Sequence, residues 1–71
     1  MGGTMTRVTI NGEARSIENG ATIAAMLTEI GLDPARVAVE RNREIVPRST
    51  LSAVAVAEGV RFEIVHFVGG G

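Results

Sequence analysis

The residues of this sequence best placed to do chemistry are three consecutive glycines, Gly69-Gly70-Gly71, which follow a hydrophobic stretch and finish the sequence. Glycines alone build nothing ordered. Extended, three residues reach roughly 10 Å beyond the preceding segment, and without side chains they thread a channel too narrow for any other residue. Such a tail delivers a terminal carboxylate into a partner's active site. The bland alternatives are a floppy end or a linker remnant, but a linker usually mixes glycine with serine and leads into a tag, and neither stands here.

Other side chains offer less. His66 is the lone histidine, and as a base it would have to serve a Ser or Thr with no recognisable signature around it. Near the end of a strand it reads as a surface or packing residue. Glu40 and Glu44 are expected to come close across a turn, an arrangement that ordinary solvated hairpins share. There is no cysteine, hence no disulfide and no thiolate metal site, and one histidine does not assemble a zinc centre. Any sulfur chemistry must therefore use something other than a side-chain thiol. All seven basic residues are arginine. A GC-rich genome explains that bias simply, and the chain is left without a lysine amine that could act as a nucleophile.

With 71 residues, 45% of them hydrophobic, the chain makes one small domain. A domain of this size buries only about 60% of its unfolded surface, which leaves no room for a deep, fully walled cavity. Function belongs on the surface or at an end. A formal charge of −1 excludes the basic footprint that nucleic acid or anionic lipid selects. The apolar run Ala53 to Ala57 is far too short to span a membrane, and the expected location is cytoplasmic. Residues 1–4 read as a disordered leader ahead of Met5, although Gly2 with Thr6 formally matches a myristoylation pattern.

The elements that must position the tail follow from local pattern. Thr6 to Ile10 and Glu13 to Ile17 alternate on either side of Asn11-Gly12, the strongest short hairpin signal. A two-residue turn pairs Ile10 with Glu13, Val8 with Arg15 and Thr6 with Ile17. Arg15 then falls on the apolar face, which predicts a bulge or a frayed edge there. Thr22 caps a helix whose Ile23, Met26, Leu27 and Ile30 fall on one face. Gly31 and Leu32 suit a Schellman ending, and Asp33-Pro34 stops the helix.

Val37 to Glu40 reads as a third strand, Arg41-Asn42-Arg43 as a polar turn, and Glu44 to Val46 as a short fourth strand that, because Pro47 donates nothing to a ladder, stops early or lies at an edge. Thr50 to Ala57 fits either a loose turn or a strand fragment. After Glu58-Gly59 a last strand runs from Val60 to Val68, with Val60, Phe62 and Ile64 facing the helix. Val65 and Phe67 take the opposite parity, toward the open face of the sheet. Because three glycines offer almost no contact area, Val65, Phe67 and Val68 are the expected partner interface, with Gly69 and Gly70 threading. The fold class is α+β, a mixed sheet wrapped over one main helix, spanning residues 5–68 with residues 69–71 as a flexible functional tail.

Four pieces carry a family resemblance: Asn11-Gly12-Glu13, Gly20-Ala21-Thr22, Val37-Ala38-Val39-Glu40 through Ile45-Val46-Pro47-Arg48-Ser49, and Val65-His66-Phe67-Val68-Gly69-Gly70-Gly71. From Met5 to Gly71 the chain resembles the thiamine-biosynthesis sulfur carriers, the ThiS family, which has a ubiquitin-like β-grasp fold. It departs from the family at Glu58-Gly59-Val60, where an acidic residue commonly follows the glycine. The resemblance implies no catalysis by the chain itself. It implies that a ThiF-like adenylating enzyme uses ATP to activate the carboxylate of Gly71. A sulfur donor such as a cysteine desulfurase then converts it to a thiocarboxylate, and a ThiG-like thiazole synthase receives the sulfur. No cofactor is expected on the chain itself. The rival readings are a small subunit of molybdopterin synthase, a sister sulfur carrier, and a ubiquitin-like modifier or plain β-grasp binding module.

Overall fold

The computed structural model describes residues 4–67. Asn11 and Gly12, with φ of 51° and 85°, form the turn between β1 (Met5–Ile10) and β2 (Glu13–Glu18). Two positive φ values define a type I′ turn, whose twist matches that of the strands it joins. The register is the expected one, with Ile10 opposite Glu13, Val8 opposite Arg15 and Thr6 opposite Ile17. The bulge expected at Arg15 is absent. Pairing runs unbroken, and β2 is an edge strand, so the Arg15 guanidinium bends off the apolar face into solvent and meets Glu13 Oε1 at 3.6 Å.

Helix α1 (Ile23–Glu29) starts where Thr22 Oγ1 accepts a hydrogen bond from the Ala25 amide at 3.1 Å, satisfying one of the unpaired first-turn donors. It ends in a Schellman motif. The Leu32 amide donates to Leu27 O at 2.8 Å and the Gly31 amide to Thr28 O at 3.0 Å, with Gly31 at φ 90°. Asp33 then caps a 3₁₀ turn at Pro34–Arg36 that leads into the next strand.

Strands β3 (Val37–Arg41) and β4 (Glu44–Val46) form a second hairpin. Arg41 belongs to the strand, and the turn is Asn42-Arg43, both with positive φ. Pro47 ends β4, and a 3₁₀ turn at Arg48–Thr50 follows. The stretch from Thr50 to Ala57 is mostly turn, with one isolated bridge from Ala55 to Thr22. Strand β5 (Arg61–His66) is shorter than the expected Val60 to Val68: Val60 precedes it and is buried, and Val68 lies outside the described residues.

The five strands form one mixed sheet in the order β2-β1-β5-β3-β4, with β5 parallel to β1 and antiparallel to β3. Ile23, Met26 and Leu27 of α1 are fully buried in one cluster with Val8, Ile17, Val37, Val39, Phe62 and Ile64 from the sheet. This is the expected α+β arrangement of a mixed sheet over one main helix. No helix among the described residues is long and apolar enough to cross a membrane.

Candidate functional site

The last strand, which leads toward the glycines, is the central strand of the sheet. Asparagines from both hairpin turns hold it. Where β1 turns away, the Asn11 amide donates to Phe62 O at 2.9 Å. The Asn11 side chain continues the ladder, with Oδ1 accepting from the Ile64 amide at 2.8 Å and Nδ2 donating to Ile64 O at 3.1 Å. On the other side the Asn42 amide donates to Arg61 O at 2.8 Å, and Asn42 Oδ1 accepts from the Arg61 amide at 3.0 Å. Each asparagine thus takes the positive φ of its turn and also replaces a strand that has ended. Residue pattern alone exposes only the turn role of Asn11 and misses the hold that both side chains keep on β5.

Along β5, Phe62 and Ile64 are buried while Val65 is 62% exposed, which matches the expected parity. Val65 lies opposite Ala38 and Glu63 opposite Glu40. Ile45 in turn lies opposite Glu40, so Ile45, 77% exposed, shares the open face with Val65. Ile45 was not among the expected interface residues. It could have been found from strand alternation, since Val46 packs toward the core and its neighbour must then point away. Arg61 and Glu63 with Glu40 and Arg43 line a shallow polar depression on this face.

Phe67 is 53% exposed just beyond the ladder. Its amide donates to Arg36 O at 2.9 Å, and the Arg48 guanidinium carbon stands 5.8 Å from its ring centroid. The remaining expected site residues, Val68, Gly69, Gly70 and Gly71, lie outside the described residues. Residues 1–3 of the expected leader lie outside them as well.

The other candidates from the sequence are not brought together. Glu44 pairs with Arg41 and Glu40 with Ile45, and adjacent strand residues point to opposite faces. Glu40 and Glu44 therefore lie on opposite sides of the sheet, which corrects the expectation that they approach one another. His66 is exposed at the end of β5 opposite Val37. Among the described residues no group of His, Asp and Glu could hold a metal ion. Glu58, at the departure from the family pattern, serves the fold, since its Oε1 accepts from the Arg7 amide at 2.9 Å.

Comparison with known proteins bears on what this surface serves. The ThiS family model matches residues 8–71. The chain is 51% identical over 65 residues to a thiazole synthase of Paramagnetospirillum magneticum and 43% identical over 65 residues to one of Magnetococcus marinus. Each match covers 92% of this chain and 20% of the relative, so the chain spans one fifth of their length. It is also 42% identical over 50 residues to the sulfur carrier protein ThiS of Bacillus subtilis, covering 70% of this chain and 76% of that one. The crystal structure of the thiamine biosynthesis protein ThiS from Geobacter metallireducens superposes with a TM-score of 0.76 at 26% identity, covering 93% of this chain and 100% of that one. Matched along nearly its whole length in sequence and in fold, the chain belongs to the ThiS family and shares its β-grasp fold.

Proposed function

We propose that this chain carries sulfur on the carboxylate of Gly71 as a protein co-substrate, with the chemistry done by partner enzymes. A carboxylate is a poor electrophile. In a ThiF-like adenylating enzyme it attacks the α-phosphorus of ATP, expels pyrophosphate and becomes an acyl-adenylate. Hydrosulfide displaces AMP with loss of one proton and leaves the thiocarboxylate. If the donor is instead a persulfide, such as that of a cysteine desulfurase, displacement of AMP gives an acyl disulfide, which two electrons from thiols cleave to the same product. A ThiG-like thiazole synthase then accepts the sulfur, a reading supported by the two relatives of that name that include a stretch like this chain. ATP is consumed by the activating enzyme and not bound here. Its use agrees with a cytoplasmic setting.

The observation that carries this reading is a family match running to Gly71 on a fold whose central strand ends just before the glycines. In it residues 5–68 are the carrier domain, residues 69–71 the functional tail, Gly69 and Gly70 the threading segment, and Val65, Phe67 and Val68 the partner contact. Incubation with a ThiF-like enzyme, ATP and a sulfur donor should give an oxygen-for-sulfur mass gain at Gly71. Attachment to lysines would favour a protein modifier, and no modification would leave a plain binding module. Deleting Gly71, or Gly70→Val, should abolish adenylation with unchanged thermal stability, because glycines have no side chain to contribute to a core. Normal adenylation of Gly70→Val would sink the threading step.

A further inference from the structure

The β3–β5 ladder ends at the pair Val37 and His66, so Phe67 needs other restraints, and it has two. One is its amide hydrogen bond to Arg36 O at 2.9 Å. The other is Arg48, whose guanidinium carbon lies 5.8 Å from the ring centroid, within cation–π range. The same guanidinium donates from Nη2 to Val37 O at 3.1 Å. A planar guanidinium can donate in its plane while offering its face to a ring, which a lysine ammonium cannot do.

Arg48 is itself held. Pro47 sets φ at −58° immediately before it, and Pro47 O accepts both the amide and the hydroxyl of Thr50, at 2.9 and 2.8 Å. A rigid turn thus presents one arginine to the carbonyl that ends the ladder and to the ring that follows it.

We propose that Arg48 is a positioning residue for the activation of Gly71: through the Phe67 ring it fixes the direction in which the chain leaves the sheet. This rests on the carrier reading above. A bound carrier whose exit direction is set presents its terminus in the reactive geometry more often, so the effect belongs in kcat more than in KM.

The test compares wild type, Arg48→Gln, Arg48→Lys, Phe67→Leu and the double variant Arg48→Gln/Phe67→Leu in ATP-dependent pyrophosphate release with a ThiF-like adenylating enzyme. Arg48→Gln should lower kcat about threefold, the effect of losing one exposed cation–π contact, with KM little changed. Arg48→Lys, which keeps the charge but not the fork, should recover only part of the loss. In the Phe67→Leu background Arg48→Gln should cost nothing further, because the two act as a unit. Wild-type kcat in Arg48→Gln overturns the proposal, and so does an undiminished loss in the Phe67→Leu background, which would mean that Arg48 touches the enzyme directly. Amide hydrogen exchange at Phe67, read without any partner, should accelerate in Arg48→Gln, and unchanged exchange also overturns it. If wild type releases no pyrophosphate, the carrier reading falls and takes the rate effect with it, an outcome distinct from normal kinetics in Arg48→Gln.

Discussion

Asn11 shows how much one side chain does in a domain of this size. It supplies the positive φ that the β1–β2 turn requires and makes two side-chain hydrogen bonds to Ile64, 53 residues away. Asn11→Ala loses both and should destabilise the fold by about 2–4 kcal/mol. Asn11→Gly keeps the turn conformation at no steric cost and should lose only the hydrogen bonds, about 1–3 kcal/mol. Urea unfolding of the two variants separates the contributions, and wild-type stability in Asn11→Gly would mean that the bonds to β5 contribute nothing. The turn role was legible in the Asn-Gly pair. The clamp was not, because a main-chain amide and carbonyl receive it and these carry no residue signature.

Helix α1 has seven residues, too few to be stable in water by themselves, so its order comes from the face it buries. That face was readable, since the 3.6-residue period needs no knowledge of the partner surface, and Thr22, Gly31 and Leu32 cap it with local chemistry. Leu27 sits fully buried in the middle of the contact. Leu27→Ala should cost about 2–5 kcal/mol by thermal or chemical denaturation. A loss below about 1 kcal/mol would place Leu27 outside the core and shift the helix phase. Strand β5 was less legible. Its alternation gave the right faces, but its length was overdrawn, because apolar character continues through Phe67 after the partner β3 has run out at Val37.

Across the whole molecule the two faces of the sheet differ in what covers them. One face closes over α1. On the other, Val65 and Ile45 are exposed, and Phe67 stands half exposed where β5 ends. In the carrier reading proposed above, these exposed apolar residues form the partner contact. Phe67→Ala should weaken binding to the adenylating enzyme by about 1–3 kcal/mol, measured by titration calorimetry, with little change in melting temperature. Unaltered affinity would remove Phe67 from the interface, and a collapse of folding would make it a core residue. Met5, also exposed, lies at the opposite end of the sheet, because β1 runs parallel to β5 with Thr9 beside Arg61.

The sequence by itself determined the β1–β2 turn, the helix and its buried face, and the parity of β5. Each depends on backbone conformation or periodicity within a few residues of chain. Only the tertiary structure decided that β5 is central, that Asn11 and Asn42 hold it from both sides, that Glu40 and Glu44 point apart, and that Arg48 reaches Phe67. These depend on which segments become neighbours after the chain closes, and a hydrogen bond to a distant main-chain group selects no residue type at the receiving end. Local chemistry is therefore written in residue identity, whereas the positioning of the last strand is written in topology.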